Sequence, residues 1–175
     1  MRKLSTVSLC VLLTAALAVT AEEAKKPLSP PASAAATIGG KHVTIDYSAP
    51  SKRGRAIMGG LVPYGKVWRT GANSATSLKT DGDLSIGSLH VPAGSYTLYT
   101  IPGEKEWTLI VNKQTGQWGT EYNEAQDLGR VKMAVKPVKG TVETFVVGLK
   151  PAGAKDGWLT LTWENTEASV ALAAH

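Results

Sequence analysis

From about residue 41 to the C-terminus, apolar residues recur at every second position. Val43, Ile45 and Tyr47 alternate with His42, Thr44 and Asp46; Trp107, Leu109 and Val111 share one face. Val131, Met133 and Val135 alternate with Arg130, Lys132 and Lys136, and Phe145, Val147 and Leu149 line up in the same way. A strand sends successive side chains to opposite faces, so a period of two marks half-buried strands. No long stretch carries the helical period, and only residues 122–128 invite a short helix. A parallel sheet needs crossover helices, so the pairing is expected to be antiparallel.

Turn residues cut this pattern into short runs. Asp81-Gly82-Asp83, Gly87-Ser88, Pro102-Gly103-Glu104-Lys105 and Asn165-Thr166-Glu167 each separate two runs. Gly87-Ser88 reads as a tight hairpin between 84–86 and 89–91, and 95–101 with 106–112 as a second hairpin. Strands are also expected at 42–47, 66–70, 74–80, 130–136, 141–149, 158–163 and 168–172. The spacing predicts an all-β fold, an antiparallel β-sandwich of jelly-roll-like form with roughly nine strands and little helix. Val62-Pro63-Tyr64-Gly65 and Val91-Pro92-Ala93-Gly94 repeat one turn chemistry, Pro second and Gly fourth, suited to a type I turn.

The N-terminus reads differently. Met1-Arg2-Lys3 is basic, residues 9–19 are almost wholly apolar, and Val19-Thr20-Ala21 ends the run with small residues. That is the pattern of a secretory signal peptide, residues 1–21, and it predicts export to the periplasm or exterior. The run is too short for a transmembrane helix, which needs about 20 apolar residues. No second span is expected once the leader is removed. Residues 22–40, rich in Pro and Ala, read as a semi-rigid tether. Residues 41–175 then form one domain. The single cysteine, Cys10, lies in the leader, so a mature chain has no disulfide, thiol nucleophile or cysteine metal ligand. The chain carries 19 Lys and Arg against 14 Asp and Glu, net +5. Two of those cations leave with the leader. The remaining excess is too mild for nucleic-acid binding, which wants a dense basic face.

One stretch departs from the strand pattern. Residues 59–73 hold four glycines, a proline, two aromatics and two cations. Glycine marks positive φ or close approach, and proline fixes φ. This is a shaped loop running into a strand, and the best candidate for a working surface. Gly60-Leu61-Val62-Pro63-Tyr64-Gly65-Lys66-Val67-Trp68-Arg69-Thr70-Gly71-Ala72-Asn73, with Ala75-Thr76, resembles the signature of a secreted bacterial family, domain of unknown function 2911. Val91-Pro92-Ala93-Gly94-Ser95-Tyr96-Thr97-Leu98 with Thr100-Ile101-Pro102-Gly103 is similar to its second motif. Trp107-Thr108-Leu109-Ile110, Asn112-Lys113 and Gln117-Trp118-Gly119 are similar to its third. The resemblance covers about residues 41–165. It implies an exported β-rich domain and carries over no catalytic residue.

Four chemistries can be weighed from the residues. Lys52, Arg53 and Arg55 surround Gly54, with Lys66 and Arg69 close behind. Arginines beside free N–H groups in a glycine-rich loop can hold a carboxylate, phosphate or sulfate. The plainer alternative is a solvated basic loop with Arg69 paired to Asp46. Tyr64, Trp68, Tyr99, Trp118 and Tyr122 sit in or beside loops, where rings either stack on a flat ligand or plug the core; Trp107, Trp158 and Trp163 suit the core. His42 and Asp46 stand about 13 Å apart along a strand, and no His-x-His pattern exists, so no metal and no cofactor is expected. Glu104, Glu106, Glu121, Glu124 and Asp127 are the loop acids available for glycoside hydrolysis. No Gly-x-Ser-x-Gly elbow, phosphate loop or dinucleotide fingerprint is present.

The reading is a non-catalytic binding module for a small anionic or saccharide ligand. Arg53, Arg55, Lys66 and Arg69 would supply charge, Trp68, Tyr99 and Trp118 stacking, and Asn73 orienting hydrogen bonds. The alternatives are an exported hydrolase using loop carboxylates, and a structural or assembly protein of the cell envelope.

Overall fold

The computed structural model describes residues 27–175; the expected leader lies outside them. Nine strands follow one another: β1 Pro31–Ile38, β2 Lys41–Ser48, β3 Thr76–Thr80, β4 Leu84–Ile86, β5 Leu89–Val91, β6 Gly94–Ile101, β7 Glu106–Asn112, β8 Asp127–Pro151 and β9 Asp156–Ala174. The only helical element among the described residues is a 3-10 turn, Glu124–Gln126, where a short helix was expected. Every strand pairing is antiparallel, and the strands hydrogen-bond as one sheet in the order β1-β2-β3-β6-β7-β8-β9-β4-β5. The all-β antiparallel expectation is met. No helix among the described residues is long and apolar enough to cross a membrane.

One hydrophobic cluster takes buried residues from all nine strands, from Ile38 in β1 to Ala174 in β9. A flat sheet cannot bring its two edges into one cluster, so the sheet curls round a single core. The long strands make the curl. Thr141 onward and 130–136 were expected as separate strands; they are two parts of β8, broken in register between Pro137 and Val142 and again between Val142 and Val146. Such irregularities bend a strand and raise its twist. The first part of β8 pairs with β7. The second part meets the end of β2: Val147 N–H donates to the Tyr47 hydroxyl at 3.1 Å, and Phe145 N–H donates to Pro50 O at 2.9 Å. The runs 158–163 and 168–172 are likewise joined, as β9.

The tether expectation fails over residues 31–38. These form β1 and pair residue by residue with β2, Ala34 against Ile45 and Ala36 against Val43. Ala34 and Ala36 pack on the core, and Ile38 is buried. Pro31 is tolerated because it is the first residue of an edge strand. Gly39 and Gly40, at φ 56° and 79°, form the two-residue turn into β2. Two consecutive positive φ values mark the hairpin turn whose twist suits the flanking strands. The expected strand at 66–70 is also absent; there the chain makes a single bridge, Trp68 with Thr100.

Candidate functional site

Residues 49–75 connect β2 to β3 without regular structure. Connections longer than about 12–15 residues in a compact domain are usually functional or disordered. This one is pinned throughout. Lys52 N–H donates to Glu143 O at 2.7 Å, Gly65 N–H to Pro102 O at 2.8 Å, and Ala72 N–H to Ser48 O at 3.2 Å. Trp68 and Thr100 exchange two backbone bonds, at 2.7 and 2.9 Å.

The loop folds over the open end of the core and leaves a cleft of about 770 Å³. Its floor is aromatic: Trp68, Tyr99, Tyr122 and Trp163. Trp68 is half-buried and wedged among three rings. It meets Trp107 and Phe145 edge-on, with centroids 6.2 and 5.1 Å away, and stacks on Trp163 at 5.9 Å. Trp68 is therefore both a core plug and a cleft wall. Leu28, Leu61, Pro63 and Val67 add an apolar share to the lining. Leu28 is 69% exposed, Leu61 47% and Val67 40%.

Three guanidinium groups stand round the opening: Arg53, Arg55 and Arg69. None lies within ion-pair distance of a carboxylate among the described residues. The expected alternative of an Arg69–Asp46 pair is not formed. Arg55 donates from Nε to Lys52 O at 3.0 Å and from one terminal nitrogen to Ser51 O at 2.8 Å. Arg53 donates to Leu28 O. Arg69 spends only Nε, on Gly71 O at 3.3 Å. A guanidinium has five N–H donors, so most of those on Arg69 are uncommitted. The seat of Arg69 depends on Gly119, where a Cβ would lie 2.7 Å from Arg69 Cδ and 2.7 Å from Asn73 O.

Backbone strain gathers here. Among the described residues, the four non-glycine residues with positive φ are Arg53, Thr70, Asn73 and Glu164. Arg53 and Asn73 line the cleft, and Thr70 and Glu164 adjoin its lining residues Arg69 and Trp163. A β-branched residue at φ 55° is an outlier. Thr70 is fully buried and held by its hydroxyl, 3.1 Å from that of Thr100, and by the Thr76 hydroxyl, which donates to Thr70 O at 2.8 Å. Glu164 ties the loop down from β9: it accepts from Lys52 Nζ at 2.9 Å and from Met58 N–H at 3.3 Å. The Lys52 bond is the main reason its carboxyl titrates below the usual range.

The two floor tyrosines are fixed by polar partners. Tyr99 is fully buried; its hydroxyl donates to Glu121 O at 3.2 Å and accepts from Gln117 Nε2 at 3.1 Å. Burial raises its pKa, and the Gln117 bond opposes the rise. The Tyr122 hydroxyl donates to Asp127 at 2.8 Å and accepts from Arg130 at 2.8 Å. Burial first, and the Asp127 bond second, push it up to about 12. Both phenols therefore stay protonated at neutral pH.

Of the eight residues expected to bind, six meet in the cleft: Arg53, Arg55, Trp68, Arg69, Asn73 and Tyr99. Two do not line it. Lys66 is exposed beside the turn at Gly65. Trp118 is 49% exposed, at a bridge to Ser74. Tyr99 was expected beside a loop and instead lies inside β6 as part of the floor. Sequence reasoning weighed Tyr122 as a loop ring without choosing it for the site, assigned Trp163 to the core, and placed Leu28 and Ser29 in the tether; all four line the cleft. Asn73 donates to Ser29 O at 3.3 Å and Arg53 to Leu28 O, so the segment before β1 is bound along the cleft edge.

The loop acids lie elsewhere. Glu124 and Asp127 pair with Arg130 at 2.6 and 2.8 Å, and Glu106 with Lys132 at 2.9 Å. Glu121 is exposed on a shallow depression next to the cleft. No three His, Cys, Asp or Glu residues converge among the described residues.

No curated protein and no solved structure matches the chain. Residues 29–172 match the family model described as "Protein of unknown function (DUF2911)". The matched segment starts at the strap beside the cleft and takes in β1, as the structure does. The chain belongs to the DUF2911 family.

Proposed function

We propose that this is an exported, non-catalytic binding module whose cleft takes a small anionic or saccharide ligand. The observation that carries the reading is the convergence of Arg53, Arg55 and Arg69, without carboxylate partners, on an aromatic floor. A guanidinium offers a fork of donors matched to carboxylate or phosphate. A pocket with apolar walls and few placed polar groups is the usual form of a small-molecule site. Strain at Arg53, Thr70 and Asn73 fits the tendency of such residues to collect at ligand clamps. Export rests on the leader pattern alone.

The lining contains no Asp, Glu, His or Cys. Its hydroxyls, on Ser29, Thr120, Tyr99 and Tyr122, thus have no carboxylate or imidazole in the lining to activate them, which favours binding over hydrolysis. A thermal-shift screen of small anions and sugars tests the reading. A ligand that binds only the folded state at a hundred times its Kd adds about 2.7 kcal/mol, a shift of several degrees. The expected result is at least one such compound whose shift is lost in Arg69→Gln. A panel in which no shift depends on Arg69 or Trp68 rejects the site.

A further inference from the structure

We infer that the ligand is an anion with an apolar body, a single carboxylate or phosphate monoester on a flat hydrocarbon or aromatic frame, and not a saccharide. The inference rests on the cleft being a binding site and narrows what it takes. Three observations point to it.

The first is how the polar groups are spent. A sugar presents several hydroxyls, each needing both an acceptor and a donor when water is excluded. The cleft has no carboxylate to accept from them. Both floor tyrosines already donate and accept within the protein. Asn73 Nδ2 is committed to Ser29 O and Ser48 Oγ, each at 3.3 Å. What remains is the free guanidinium N–H groups of Arg53, Arg55 and Arg69, set against neutral groups only, Asn73 Oδ1 and the hydroxyls of Ser29 and Thr120. A site whose charged groups are all donors suits an anion.

The second observation is the apolar part of the lining. Leu28, Leu61 and Val67 are three of the seven large hydrophobic residues left exposed among the described residues, and all three face the one cleft. Scattered exposed apolar residues need no explanation, but a contiguous group in a concavity marks a surface to be covered. The third is Trp68, half-buried in the cleft lining and backed by buried Trp163, stacked on it at 19°, so that the exposed part of one rigidly held indole is available to a flat apolar frame. Guanidinium donors and exposed hydrocarbon in one lining specify an amphipathic anion.

Isothermal titration of the folded protein with five probes tests this: 2-naphthoate, 2-naphthyl phosphate, the neutral 2-naphthamide, glucuronate and maltose. Binding of either naphthyl anion at least tenfold tighter than the amide supports the inference, and the better of the two identifies the head group. Arg69→Gln and Arg55→Gln should each weaken that anion tenfold or more and leave the amide unchanged. Arg55 is exposed, so its variant keeps the test open if Arg69→Gln unfolds. Leu61→Ser should weaken both naphthyl anions and the amide alike. Equal binding of acid and amide overturns the role of the arginines. Arginine-dependent binding of glucuronate or maltose without the naphthyl anions overturns the inference and leaves the binding reading standing. No binding by any of the five removes both.

Discussion

Replacing Trp68 by alanine separates a ring that merely decorates the cleft from one that holds the fold. Trp68 is half-buried, with three aromatic partners at 5.1, 5.9 and 6.2 Å. Truncating a fully buried Trp costs about 3–5 kcal/mol, and each favourable ring pair contributes about 0.5–1.5 kcal/mol of that. Because one side of Trp68 faces the cleft, the lower end applies, about 3 kcal/mol. The backbone bridge to Thr100 survives the substitution, so the chain path should hold while the side-chain wedge is lost. For a domain of this size 1 kcal/mol moves Tm by about 2–4 °C, so a fall of about 6–12 °C is expected. Urea unfolding followed by far-UV circular dichroism measures it without relying on the fluorescence of the removed indole. The midpoint should fall with the slope unchanged, the signature of a pure stability loss. Trp68→Phe keeps an aromatic edge for Phe145 and should cost about half as much. A loss below about 1 kcal/mol in Trp68→Ala would falsify the wedge and leave Trp68 as a surface ring.

Three further outcomes are expected. Gly119→Ala places a Cβ 2.7 Å from the Asn73 carbonyl and from Arg69 Cδ; overpacking of this kind costs about 1–3 kcal/mol, and the variant should also lose any Arg69-dependent binding, both read by thermal melts with and without ligand. Glu164 has a folded pKa below its unfolded value of about 4.5; its contribution is present above that value and lost as pH falls through the depressed one, so Lys52→Met should raise the pH of half-unfolding in an acid titration. Tyr122 moves from 10.0 to about 12 on folding; its contribution is present below pH 10 and lost as pH rises towards 12, so Tyr122→Phe should flatten stability across that window and remove the latest-titrating phenol from a 295 nm absorbance titration.

Much of the fold was legible because turn chemistry and alternation agree. The β4–β5 and β6–β7 hairpins stand within a residue of their expected bounds, since Gly87-Ser88 and Pro102 to Lys105 leave few other turns possible. The misses have physical causes. β1 is built from Ala, Ser and Thr, whose small side chains give no hydrophobic period, and its pairing is supplied by β2. The Gly39-Gly40 turn was the available signal. Residues 66–70 alternate like a strand but have only one backbone partner. For the site, Arg53, Arg55, Trp68, Arg69 and Asn73 were legible because one loop carries them. Tyr122, Trp163 and Leu28 come from distant parts of the chain, and only the curl of the sheet brings them to that loop.

That curl also bears on why the loop is costly. A connection serving only to join β2 to β3 has no need of left-handed Arg53, Thr70 and Asn73, since glycine adopts those angles without the steric penalty. Each such residue costs on the order of 1–3 kcal/mol and persists only where its surroundings over-determine it. Here they do: Thr70 is clamped by Thr76 and Thr100, Arg53 by Glu143 and Leu28, Asn73 by Ser29, Ser48 and Gly119. Arg53 and Asn73 place polar side chains on the cleft, and buried Thr70 turns the chain between the Trp68–Arg69 pair and Asn73. Glycine at those positions would relax the backbone and remove the groups that give the cleft its charge and shape. Strain and unpaired cations in one place are hard to account for by stability, because both work against it. The anion-binding surface proposed above would account for both.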